Sequence, residues 1–174
     1  GAGVVVVETD NIAIGQKTLC DLTSGACNVA IGMTALRYTT TGCENVAIGR
    51  SALGGGIHTG ENNIAIGRAT GEDLTSGFLN IAIGACSLNA STTGCRNIGI
   101  GQCVMGGAIT TGIENIGMGR SSLKVLTSGL CNIAIGVRAL EASTTGCDNV
   151  AIGQLAMGGA DTTGYRNVAI GLSS

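Results

Sequence analysis

The chain has 174 residues, a formal net charge of −2 from nine Lys/Arg and eleven Asp/Glu, 31 Gly, no Pro, no Trp, two Tyr and one Phe. An aromatic-centred core is excluded, and so is collagen, which needs abundant Pro and Gly at every third position. Only 11% of residues are charged and mean hydropathy is +0.42, which argues against disorder; without a basic run there is no footprint for nucleic acid or anionic membrane, and no apolar stretch approaches the ~20 residues that span a bilayer.

Residues 1–10 precede the first repeat. They start at Gly1 rather than Met, which suggests a processed chain or a fragment, and contain the longest aliphatic run, Val4, Val5, Val6 and Val7. This segment reads as an N-terminal strand or cap and as a candidate assembly strand. From Asn11 to the end a five-residue motif, Asn-[Ile/Val]-[Ala/Gly]-[Ile/Met]-Gly, begins at Asn11, Asn28, Asn45, Asn63, Asn80, Asn97, Asn115, Asn132, Asn149 and Asn167. The spacings run 17, 17, 18 and repeat, so a 52-residue super-repeat is nested over the short one.

Counting each motif Asn as position 0, position +1 is aliphatic, +2 small, +3 Ile or Met, and +4 Gly. Position +8 is bulky and apolar (Leu19, Leu36, Leu53, Leu88, Met105, Leu123, Leu140 and Met157) except at Gly71. A further Gly stands three residues before each later Asn. The +1/+3 alternation has the period of two of a strand with one face in a core, which predicts that +1 and +3 point inward. Helix is excluded by two Gly per coil, each costing ~1 kcal/mol, whereas Gly serves as a positive-φ corner. The expectation is an all-β fold: a single parallel β-solenoid over 11–174, about ten coils of 17-17-18 residues, on the order of 50 Å long at ~4.8 Å per coil. The ten motif Asn residues are expected to form a hydrogen-bonded ladder that satisfies the bend.

The string Asn-Val-Ala-Ile-Gly at Asn45 to Gly49 and Asn149 to Gly153, with Ala-Leu following at Ala35-Leu36, Ala52-Leu53 and Ala139-Leu140, resembles the repeat of phage and giant-virus tail-fibre proteins. It is also similar to the head repeats of trimeric autotransporter adhesins, whose coil is shorter. The resemblance covers residues 11–174 and implies an elongated, often trimeric fibre for attachment, at an extracellular, cell or virion surface, with a cell-surface receptor or glycan as further partner. No C-terminal chaperone domain of the tail-fibre kind accompanies it here.

Catalysis finds little support, because a general base needs partners and the single His, His58, reads as a surface replacement in a Thr column. The left-handed β-helix acyltransferases, similar in their stacked Ile/Val-Gly corners, rely on a catalytic His; they are one alternative. That Thr column, Thr23, Thr40, Thr75, Thr92, Thr110, Thr127, Thr144 and Thr162, suggests a second alternative, since ice-binding solenoids carry Thr ladders; turn chemistry before Gly accounts for the same residues. Gly54-Gly55-Gly56 lacks the residues of a phosphate loop and reads as a corner. Of the eight Cys, Cys86 and Cys103 share an offset on consecutive coils and make the best disulfide or Cys-ladder pair, Cys27 with Cys43 a weaker one. Cys43, Cys95 and Cys147, three coils apart, read as small hydrophobes or as inter-chain bonding sites. No Cys-x-x-Cys is present, so neither metal nor cofactor is expected; Asn89-Ala90-Ser91 matches the glycosylation sequon. The partial coils at the two ends together make one coil, which suggests head-to-tail stacking with Val4 to Val7 against Asn167 to Ile170 of a neighbour. The expectation is a self-assembling structural fibre subunit, as a homotrimer or a head-to-tail filament.

Overall fold

A computed structural model of the chain describes residues 4–7, 10–159 and 162–174. Parts of the expected N-terminal cap, residues 1–3, 8 and 9, therefore lie outside the described residues. The chain is a parallel β-solenoid without helix among those residues. β1 (Val4–Val7) and β2 (Asn11–Ile14) are followed by nine three-residue strands: β3 (Val29–Ile31), β4 (Val46–Ile48), β5 (Ile64–Ile66), β6 (Ile81–Ile83), β7 (Ile98–Ile100), β8 (Ile116–Met118), β9 (Ile133–Ile135), β10 (Val150–Ile152) and β11 (Val168–Ile170). All eleven form one sheet in chain order. From β2 onward each pair is parallel and the columns stay in register, as in Ala13 on Ala30 and Ala30 on Ala47. The Asn spacing of the sequence is thus the sheet register itself.

β1 is the exception, pairing antiparallel with β2 of the same chain, Val4 opposite Ile14 and Val7 opposite Asn11. The sequence reading paired this segment with the last strand of a neighbour; it instead folds back on the first coil and covers that edge of the sheet.

The strand faces are reversed from the sequence expectation. Ala30, Ala47, Ala134 and Ala151, all at +2, are fully buried, and the motif Asn residues from Asn11 to Asn149 are buried too, whereas Ile12, Ile64, Ile66, Ile83, Ile135 and Ile152 at +1 and +3 are 36–44% exposed. Alternation permits either assignment, and the width of the coil decides between them. Leu36, Leu53, Leu88, Leu123 and Leu140 at +8 enter from the opposite wall and are at most 1% exposed, leaving room for a methyl group on the strand side and none for a second branched chain. Where +2 is Gly99, a Cβ would lie 2.7 Å from the Ser87 hydroxyl. The core is a column of thin Leu–Ala layers.

Such a narrow coil needs sharp corners. The +4 glycines supply one, with φ between 117° and 139°, a region closed to other residues. The remaining left-handed corners are not glycine, save Gly71 at +8 (φ 58°). The residue before each Asn and those at +6 and +8 hold left-handed φ, as in Leu79 (58°), Cys86 (57°) and Leu88 (49°), at a cost of roughly 1–2 kcal/mol each. The glycine three before each Asn has a different reason: a Cβ on Gly77 would meet the Gly94 carbonyl oxygen of the next coil at 2.3 Å. Close approach of stacked backbones, and not φ, requires glycine there.

Candidate functional surface

The motif Asn residues form a continuous ladder, buried from Asn11 to Asn149 and exposed at Asn167. Asn28 Nδ2 donates to Asn11 Oδ1 at 3.0 Å and to the Gly42 carbonyl at 2.8 Å, while its backbone N–H donates to Asn11 Oδ1 at 2.8 Å. The pattern repeats through Asn45, Asn63, Asn80, Asn115, Asn132 and Asn149. Asn97 keeps the bonds to the Gly112 carbonyl and, through its backbone, to Asn80 Oδ1, and Asn167 closes the column on Asn149. These amides are occupied by the fold.

The Thr column is re-registered. In the 18-residue coils Ile57 and Ile109 bulge outward, each 65% exposed, and turn His58 and Thr110 into the interior, where both are fully buried. The places they vacate belong to Thr59 and Thr111. The hydroxyls of Thr23, Thr59, Thr75, Thr111 and Thr127 donate to the carbonyls of Thr40, Thr75, Thr92, Thr127 and Thr144, at 2.8–3.4 Å. His58 is therefore not a surface replacement. It stacks on Thr39, its Nδ1 lies 3.0 Å from the Leu74 carbonyl, and its Nε2 and Thr39 Oγ1 are buried without a partner. Burial pushes its pKa below the ordinary imidazole value, with the Leu74 hydrogen bond opposing. Counting back from the next Asn concealed this, because the inward place stands six residues before the next Asn in the 17-residue coils (Thr39, Leu74, Leu126) but five before it here.

All eight Cys are free thiols. Those of Cys43, Cys95 and Cys147 donate to the carbonyls of Thr41, Thr93 and Thr145 and are half-buried. Cys27 and Cys131, each just before a motif Asn, are exposed. Asn89 donates to the Ala69 carbonyl at 3.0 Å and to Glu72 at 3.1 Å, and Ser91 of its sequon is buried, so the local fold occupies that sequence. Among the described residues no three His, Cys, Asp or Glu side chains cluster as metal ligands. A concavity at the C-terminal end, beside Leu155, Met157 and Ser174, is lined by no titratable side chain among the described residues.

The largest feature is the outward Ile/Val face. Two columns about 7 Å apart run from β2 to β11, an apolar strip on the order of 500 Å², within the size range of the largest patch on a typical monomer, which is often functional. At the C-terminal end Val168 and Ile170 are 70% and 68% exposed. The strip reads continuously through the strand registers, such as Ile48 on Ile66 and Ile83 on Ile100. No known family, curated protein or solved structure matches the chain.

Proposed function

We propose that the chain is a structural, non-catalytic segment of an extracellular or virion-surface fibre, and that copies associate side by side through the Ile/Val face. The observation that carries the reading is that face. Its side chains are held in rigid register by ten stacked strands, so their ordering entropy is already spent before association, and the flat apolar strip is interrupted by no charge at +1 or +3. Side-by-side packing is favoured over head-to-tail stacking through Val4–Val7, because β1 is already engaged on β2. Ice binding through Thr has weaker support, since Thr23, Thr75 and Thr127 turn their hydroxyls to the next coil. An enzymatic reading loses its one His to the interior.

Sedimentation equilibrium tests the proposal. The wild-type chain is expected to sediment as an oligomer at micromolar concentrations, the number of copies being read directly, and a variant carrying Ile66→Lys, Ile83→Lys and Ile135→Lys as a monomer with unchanged far-UV circular dichroism. A wild-type chain that stays monomeric, or a variant that associates as well as wild type, sinks it.

A further inference from the structure

Cys86 and Cys103 lie on consecutive coils, each two residues past a corner glycine, Gly84 and Gly101. Their backbones stack in the same conformation: Cys86 N donates to the Arg68 carbonyl and Cys103 N to the Ala85 carbonyl, both at 3.0 Å, and φ is 57° and 55°. Identical conformations one coil apart project the two Cβ atoms in parallel. The Cα atoms then stand about 4.8 Å apart, within the roughly 4.4–6.8 Å that a disulfide spans. The reach of side chains in this column is visible at Thr34 and Ser51, which occupy it on the coils of β3 and β4 and bring their hydroxyls to 3.1 Å. The Cys86 sulfur lies close enough to Cys103 to act on its thiol, and both residues are half-buried, so a small molecule in solution can reach them.

No other two of the eight Cys share a column on consecutive coils. Cys43, Cys95 and Cys147 recur only every third coil, Cys27 and Cys131 six coils apart, and Cys20 stands alone in its column. Partial burial and the neighbouring Cys86 sulfur push the Cys103 thiol up, with Lys124 and Arg68 acting against that. The two cations favour the thiolate that exchange requires.

We propose that Cys86 and Cys103 form a redox-active dithiol that closes, by exchange with a small disulfide such as oxidised glutathione, into a covalent link between adjacent coils. One thiolate of the pair attacks a sulfur of the oxidant, forming a mixed disulfide and expelling one glutathione thiolate. The second, once deprotonated, attacks the protein sulfur of that mixed disulfide, forms the Cys86–Cys103 bond and expels the second glutathione. Two electrons pass to the oxidant, and its two thiols carry away the two protons. The link ties the coil of β6 to that of β7 in the middle of the rod, so the stack is locked there under oxidising conditions and released under reducing ones.

The folded chain is incubated with oxidised glutathione, remaining thiols are alkylated, and the denatured protein is digested with trypsin. Cleavage after Arg68, Arg96 and Arg120 is expected to release segments 69–96 and 97–120 joined through Cys86 and Cys103, with the other six thiols alkylated and the link cleaved by dithiothreitol. Cys103→Ser, which places in this column the residue found there at Ser51 and Ser121, is expected to accumulate a lasting glutathione adduct on Cys86. Wild-type Cys86 and Cys103 that remain alkylatable, or that keep glutathione adducts without closing, overturn the proposal. These readouts are independent of oligomeric state.

Discussion

His58 takes the interior place that Thr110 holds one super-repeat later, and the two side chains satisfy the same group. His58 Nδ1 meets the Leu74 carbonyl at 3.0 Å, Thr110 Oγ1 the Leu126 carbonyl at 2.9 Å. With Nδ1 as donor, the ring is neutral and Nε2 is a buried lone pair without a partner. A proton on Nε2 would set a charge in an aliphatic stack with no carboxylate among the inward columns. The folded pKa therefore lies below the unfolded value of about 6.5. As pH falls below about 6.5 the unfolded chain takes up a proton that the folded chain refuses, so the unfolded state binds more protons and stability drops until the folded pKa is reached. Urea midpoints are expected to fall between about pH 7 and about pH 5, above the range where most carboxylates titrate, and His58→Thr to remove most of that slope. A variant with the wild-type slope would assign the pH dependence elsewhere. That His58 is internal was recorded in the sequence only through the eighteenth residue of its coil. Without knowing where the chain bulges, a count from either neighbouring Asn lands on a different side chain.

Each coil is held to the next by the Asn column as much as by the sheet. Asn115 Oδ1 accepts from the backbone N–H and the Nδ2 of Asn132, both at 3.0 Å, and its own Nδ2 donates to the Gly129 carbonyl at 2.9 Å. Asn115→Ala leaves a buried N–H and a buried carbonyl without these partners, at roughly 1–3 kcal/mol each. A loss of about 3 kcal/mol in chemical denaturation is expected, and a loss under about 1 kcal/mol would mean that water or a neighbouring amide replaces the side chain. The Asn and Gly spacing made the solenoid and its register legible, because stacking requires the same residue at the same place in every coil. Sidedness was not legible by hydrophobicity. Ile at +1 and +3 outranks Ala at +2 on any transfer scale, yet Asn and Ala share a face, and the strict smallness of that face, Ala or Gly in every motif, was the sign of a tight interior. The left-handed Leu and Cys corners left no sequence signature, since residue preference there is overridden by stacking on both sides.

Over the whole rod every strand contacts only the strands before and after it, so stability is a sum of coil and interface contributions and not the property of one closed core. The 52-residue super-repeat then becomes a mechanical module. Removing residues 64–115 joins Asn63 to Ile116 and sets β8 on β4, and the coil of Asn115 is the counterpart, one super-repeat later, of the coil of Asn63. The new interface copies the one that β7 makes with β8, since the coils of β4 and β7 are likewise one super-repeat apart. One side chain differs in the +8 column: Leu123 follows Leu53 where Gly71 had left it space, and Leu53 already accepts Leu36 from the other side in the same manner. The shortened chain is expected to keep the circular dichroism per residue of the full one and to unfold cooperatively, with a smaller denaturant dependence in proportion to the surface it buries. A cut ending at residue 107 joins Asn63 to Ala108, sets Ala108 to Thr110 where a strand should follow the Asn, and throws the inward columns out of register at the junction; that chain is expected not to fold. If the 52-residue deletion also fails to fold while the full chain is cooperative, coils beyond nearest neighbours must be coupled, and the modular account of the rod is wrong.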